Sequence, residues 1–128
     1  MPNPTWEQMK ADPSGTIYKD FMVLGVRCLI MRGPGALCAY LGIPLNHTLA
    51  YKDYDDVDLD VHGGLTFAGS GEDGYRPKGY WWFGWDYAHS NDATFHDYHG
   101  AIFRGGHQWL VGEVEQHVIH AAIELHKY

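Results

Sequence analysis

His62, Asp86 and His89 fall at or just beyond the ends or irregular points of segments that read as central strands. Strand ends and their adjoining loops are where a rigid frame converges polar groups into a pocket. Histidine makes up nine of the 128 residues, more than packing asks of a chain this size, and His96, Asp97 and His99 follow closely on Asp92. Imidazole nitrogens and carboxylate oxygens suit zinc or another first-row divalent ion, and a catalytic zinc site takes three protein ligands and leaves one position to water. His62, His89 and Asp92 supply such a set, with Asp86 as a substitute carboxylate. The string HSND at 89–92 is not HExxH, however, and no other zinc signature is present. Without a metal, His62 or His89 serves as general acid or base near neutral pH while Asp86 fixes its tautomer. A third reading makes the same side chains hydrogen-bonded groups that hold loops in place.

Other chemistries find less support. Ser70, in AGSGEDG, and Ser90 both lack the GxSxG turn context of a nucleophilic serine. Cys38 lies in an apolar segment without a charged neighbour, and Cys28 and Cys38 have no CxxC spacing, so both read as buried free thiols. Gly63-Gly64 can expose backbone amides to an anion, but paired glycines in a strand more often mark a bulge. AGSGEDG lacks GxxxxGK, and its two acidic residues oppose phosphate. The run DYDDVDLD at 53–60 lacks the glycine and glutamate of a calcium loop and reads as a solvated loop. Glu113, His117, His120 and Glu124 share one helical face, a metal-capable arrangement that is also what an ordinary polar face looks like.

The elements that must position these groups follow from periodicity. Phe21 to Met31 and Ala36 to Ile43 read as two strands joined through Gly33-Pro34-Gly35. Leu59 to Phe67 alternates as a strand interrupted by Gly63-Gly64, Ala68 to Lys78 reads as a loop, and Gly79 to Tyr87 as an aromatic strand needing cover on both faces. Leu110, Val114, Val118, Ala121 and Leu125 recur at helical spacing within a helix from about Gln108 to His126. Ile119 and Ile123 lie roughly opposite and offer a homodimer contact. The fold class expected is α+β, a small, mostly antiparallel sheet with the C-terminal helix packed on one face. Residues 1–20, with Pro2, Pro4, Pro13 and Gly15, form an irregular N-terminal arm, and residues 21–128 a single domain.

Sixteen acidic residues against nine Lys plus Arg give a net charge of -7, so a phosphate backbone meets repulsion and direct nucleic-acid binding is not expected. Apolar stretches are broken by arginine or glycine well before a membrane span, and the N-terminus lacks the basic-then-apolar order of a secretory signal. A cytoplasmic location with no membrane partner is the expectation.

The segments VHGGLTF (61–67) and WWFGWDYAHSND (81–92), preceded by CAYLGIP (38–44) and HTLAYKDYDD (47–56) and followed by WLVGEVEQHV (109–118), resemble a small uncharacterised bacteriophage and bacterial protein family. The HGGLT and WWxGxDxAH motifs carry the resemblance. It implies a phage-linked or prophage-linked accessory protein acting in the host cytoplasm, with His62, Asp86, His89 and Asp92 as its motif positions. Tyr87 departs from the pattern, which has a smaller residue, often cysteine, between the aspartate and the alanine.

The leading expectation is a small hydrolase-like enzyme, with or without zinc or another divalent metal. His62, His89, Asp86 and Asp92 would activate water against a small polar or phosphorylated substrate. The alternatives are a non-enzymatic accessory protein that binds a host protein through its acidic loop and exposed aromatics, and a structural phage-associated domain.

Overall fold

The computed structural model describes residues 2–72, 75–96 and 106–128. Runs of Val, Ile, Leu and aromatic residues build β1 (Ile17–Val23), β2 (Val26–Arg32), β3 (Leu37–Pro44) and β5 (Arg76–Asp86), and the glycine-rich FAGSGE forms β4 (Phe67–Glu72). They form one antiparallel sheet in the order β1-β2-β3-β5-β4. A short helix, α1 (Trp6–Ala11), precedes the sheet and a long one, α2 (Val111–His126), closes the chain. The fold is α+β, with α2 packed on the sheet.

Strand alternation divides the apolar residues between two faces. Cys28, Ile30, Leu37, Ala39, Leu41, Phe83 and Trp85 meet the stripe Val114, Val118, Ala121 and Leu125 of α2 and form the main core. Leu110, expected in that stripe, is exposed just before the helix begins. On the opposite face Leu29, Met31 and Trp82 are buried under Tyr40, Phe67 and Tyr80. Gly42 and Gly84 leave room for these rings, since a Cβ at Gly42 would stand 2.7 Å from the Trp82 ring and one at Gly84 2.5 Å from the Tyr40 ring. Arg76 lies over Phe67 and Tyr40 at 4.2 and 5.0 Å from their centroids. The second face thus makes its cover from its own side chains.

Four local expectations change. Phe21 to Met31 is not one strand, because Leu24 and Gly25 take positive φ of 49° and 81° and reverse the chain between β1 and β2. The twist of such a two-residue turn matches that of the flanking strands. Leu59 to Phe67 is not a strand: residues 57–66 run as a loop in which Gly63 and Gly64 both take positive φ, and only Phe67 enters β4. Ala68 to Lys78 is not simply a loop, since it holds most of β4 and the start of β5. Gly71 permits that pairing, because a Cβ there would collide with the Pro77 carbonyl.

The arm at 1–20 is not wholly irregular, carrying α1 and the start of β1. The Thr5 hydroxyl accepts from the Gln8 amide at 3.2 Å and the Gln8 side chain accepts from the Thr5 amide at 2.8 Å, a reciprocal cap that starts α1. At the other end the buried Arg32 guanidinium donates to the Met9 and Lys10 carbonyls at 3.0 and 3.1 Å. The helix terminus is therefore satisfied by a β2 side chain.

Candidate functional site

Three segments without regular structure meet beside α2. The 57–66 loop brings His62, the chain leaving β5 brings Tyr87, His89 and Asp92, and the approach to α2 brings His107 and Trp109. The last two segments are tied by main-chain bonds, Ala93 donating to the His107 carbonyl at 2.9 Å and His107 to the Asn91 carbonyl at 3.0 Å.

Asp92 is the hub. Its side chain is 3% exposed. Oδ2 accepts from His62 Nε2 at 2.7 Å and from the His89 amide at 2.9 Å, while Oδ1 accepts from the Trp109 indole at 2.8 Å. Burial by itself raises the carboxyl pKa, but these hydrogen bonds outweigh it and hold the group below its ordinary value. An ionised carboxylate only accepts, so His62 carries its proton on Nε2 and presents Nδ1 as the basic nitrogen when neutral.

The His62 ring stacks on Tyr87, with centroids 4.6 Å apart and planes within 9°. The Tyr87 hydroxyl accepts from Trp85 Nε1 at 3.1 Å and lies 2.8 Å from His117 Nδ1. Burial, helped by the charges of Asp92 and Glu113 and opposed by the Trp85 bond, pushes the phenol up to about 12. His117 is held below its ordinary value, first by burial and then by neighbouring His62 and His120, with Glu113 opposing. It stands neutral at pH 7.

His62 and His117, with ring centroids 6.4 Å apart, share an open groove of about 470 Å³ with Asp60, Val61, Gln116 and His120. A second depression of about 370 Å³ adjoins it through Asp60 and His120 and adds Asp58 and Glu124. Among the described residues no lysine or arginine lines either one.

The four sequence candidates thus separate. His62 and Asp92 form a direct pair. His89 contributes its amide to Asp92, while its ring nitrogen Nε2 lies 3.6 Å from Asp86 Oδ1, beyond hydrogen-bond distance, and is packed against Gly63. Asp86 accepts from the Ala88 amide at 3.1 Å, so Asp92, rather than Asp86, fixes the His62 tautomer. Among the described residues no group of three His, Cys, Asp or Glu side chains has metal-binding geometry; the oxygens of Asp92 are directed at N–H donors. Asp97 and His99 lie outside the described residues. The thiols are free, and burial pushes Cys28 up to about 12 and, aided by the Asp86 charge, Cys38 up to about 11.

Tyr87, Trp85 and Trp109 were not expected at this site. Each reads in the sequence as an apolar residue, and nothing in its spacing says that its single polar atom meets a carboxylate (Trp109), an imidazole (Tyr87) or a buried hydroxyl (Trp85). His117 stood on a recognisable polar helix face, but its partners come from other elements. Glu113 on that face accepts from the Leu110 amide at 3.0 Å and pairs with His107 Nε2 at 2.8 Å, so it caps α2. Comparison with family models, curated proteins and solved structures finds no match for the chain.

Proposed function

We propose that the groove between His62 and His117 carries general acid–base catalysis of a hydrolytic reaction on a small, uncharged polar substrate. The observation behind this reading is the Asp92-backed His62 facing the same open groove as a neutral His117. His62 Nδ1 takes a proton from water as it attacks, and Asp92 stabilises the imidazolium that results. His117, being neutral, offers its ring N–H as a hydrogen bond to the oxygen that gains charge, and the His62 imidazolium returns the proton to the leaving group. No step is routed through a metal, because Asp92, the one buried carboxylate among the described residues, is committed to three N–H donors. The local charge argues against a phosphorylated substrate: Asp60 lines the groove, and Asp58 and Glu124 follow.

The test is a turnover screen of purified protein against carboxyl-ester, amide and phosphoester substrates, repeated on folded His62→Ala and His117→Ala. Turnover of a neutral substrate is expected to fall about 10²- to 10⁴-fold in each variant. No turnover across the panel, or turnover indifferent to both substitutions, overturns the reading.

A second reading rests on the acidic loop. Asp53, Asp55, Asp56, Asp58 and Asp60 are all exposed, and Tyr51 beside them is 65% exposed. They form a surface suited to a basic host protein, which is the setting the motif resemblance implies. Binding lost on reversing Asp55 and Asp56 but kept in His62→Ala would favour it.

A further inference from the structure

We infer that Tyr87 is a positioning residue that fixes the direction of the groove's hydrogen bonding by holding His117 with its proton on Nε2. The inference deepens the proposed acid–base reading and rests on it only for calling the residue catalytic support; the hydrogen-bond assignment stands on geometry. The Trp85 indole has a donor and no acceptor. Its Nε1 is 3.1 Å from the Tyr87 hydroxyl oxygen, so that oxygen accepts and the hydroxyl proton is left to donate elsewhere. The nearest acceptor is His117 Nδ1 at 2.8 Å. A nitrogen that accepts cannot carry a proton, so a neutral His117 bears its hydrogen on Nε2.

The chain Trp85 to Tyr87 to His117 begins in the core, where Trp85 and Tyr87 are each 1% exposed, and it has one sense only. On the other side of Tyr87, stacked at 4.6 Å, His62 has its Nε2 hydrogen engaged by Asp92. The two imidazoles that line the groove therefore differ in the nitrogen left over from these bonds, a basic Nδ1 on His62 and a donor Nε2–H on His117. The groove is matched to a group that donates at one end and accepts at the other, as water beside a carbonyl or leaving oxygen does. Tyr87 touches both rings, which gives the tyrosine a task that a smaller residue at this position cannot perform.

Long-range proton–nitrogen correlation spectra of the ¹⁵N-labelled protein at about pH 8, where His117, held below its ordinary value, is neutral, test this without any substrate. His117→Gln assigns the signals. The expected wild-type spectrum has a bare, hydrogen-bonded Nδ1, a protonated Nε2 and a slowly exchanging Tyr87 hydroxyl proton close to Nδ1. Tyr87→Phe is expected to abolish that proton signal and to bring up a second population protonated on Nδ1. Its kcat on any substrate found should fall about three- to tenfold, the worth of one hydrogen bond. A wild-type His117 protonated on Nδ1, a mixed population, or a spectrum unchanged by Tyr87→Phe overturns the inference. Should Tyr87→Phe fail to fold, the wild-type spectrum decides. A locked tautomer in a protein that turns nothing over would keep this inference and sink the enzymatic reading.

Discussion

At the scale of single residues, one glycine and one carboxylate govern the site. Gly63 has φ of 72° and its missing Cβ would collide with the His89 ring, whereas Gly64 has φ of 82° and open space around it. Gly64→Ala pays backbone strain alone, about 1–2 kcal/mol. Gly63→Ala pays the same strain and must also displace His89, whose amide holds Asp92, so urea denaturation is expected to show it as the more destabilising of the two. Asp92 sets an acid limit. Its folded pKa lies below the unfolded value of about 3.9. The stabilisation it contributes is present above that unfolded value and is lost as pH falls through the folded one. His117, also held low, adds a loss that begins below the unfolded histidine pKa of about 6.5. Stability measured against pH should fall in both windows for the wild type. Asp92→Asn is expected to be less stable at pH 7 and to lack part of the lower limb.

At the scale of elements, the turn between β1 and β2 is a point where the chain is not optimised. Both central residues need positive φ, and the first is Leu24 at 49°, with 57% of its surface exposed. Asparagine accepts that conformation at much lower cost, and Asn-Gly is the preferred pair for such a turn. Leu24→Asn is therefore expected to stabilise the protein by about 0.5–1 kcal/mol, read as a higher midpoint in thermal melts. At α2 the cap comes from Glu113 alone, since Leu110 at the N-cap has no side-chain acceptor. The polar face that read as metal-capable is thus divided by its partners: Glu113 caps the helix, His117 takes Tyr87, and His120 and Glu124 line the second depression.

For the whole molecule, the sheet is buried on both faces although a long helix covers only one. Trp82 is 0% exposed on the face opposite α2, and its indole donates to the Pro77 carbonyl at 3.0 Å. Trp82→Ala is expected to cost about 3–5 kcal/mol, as much as a truncation under the helix; a loss below about 1 kcal/mol in denaturant titration would show that the aromatic layer is not a second core. Among the described residues no helix is long and apolar enough to cross a membrane. On α2, Ile123 is 38% exposed, and a homodimer through it stays a proposal.

Repeating patterns carried the fold class, because burial imposes a period of two on strands and 3.6 on helices whatever their neighbours. The α2 stripe, the β3 and β5 strands and the α+β arrangement were legible for that reason. The β4–β5 hairpin was not: its glycines read as a loop, and only the proximity of Pro77 explains Gly71. Residue type likewise marked His62 and Asp92 as chemical, since imidazole and carboxylate are costly to bury unpaired. Their pairing across thirty positions, the exchange of Asp86 for Asp92 as the orienting carboxylate, and the recruitment of Trp109, Tyr87 and Trp85 depended on three loops folding against α2. Hydrogen bonds are directional and reach about 3 Å, a condition that spacing along a chain cannot express and packing in space can.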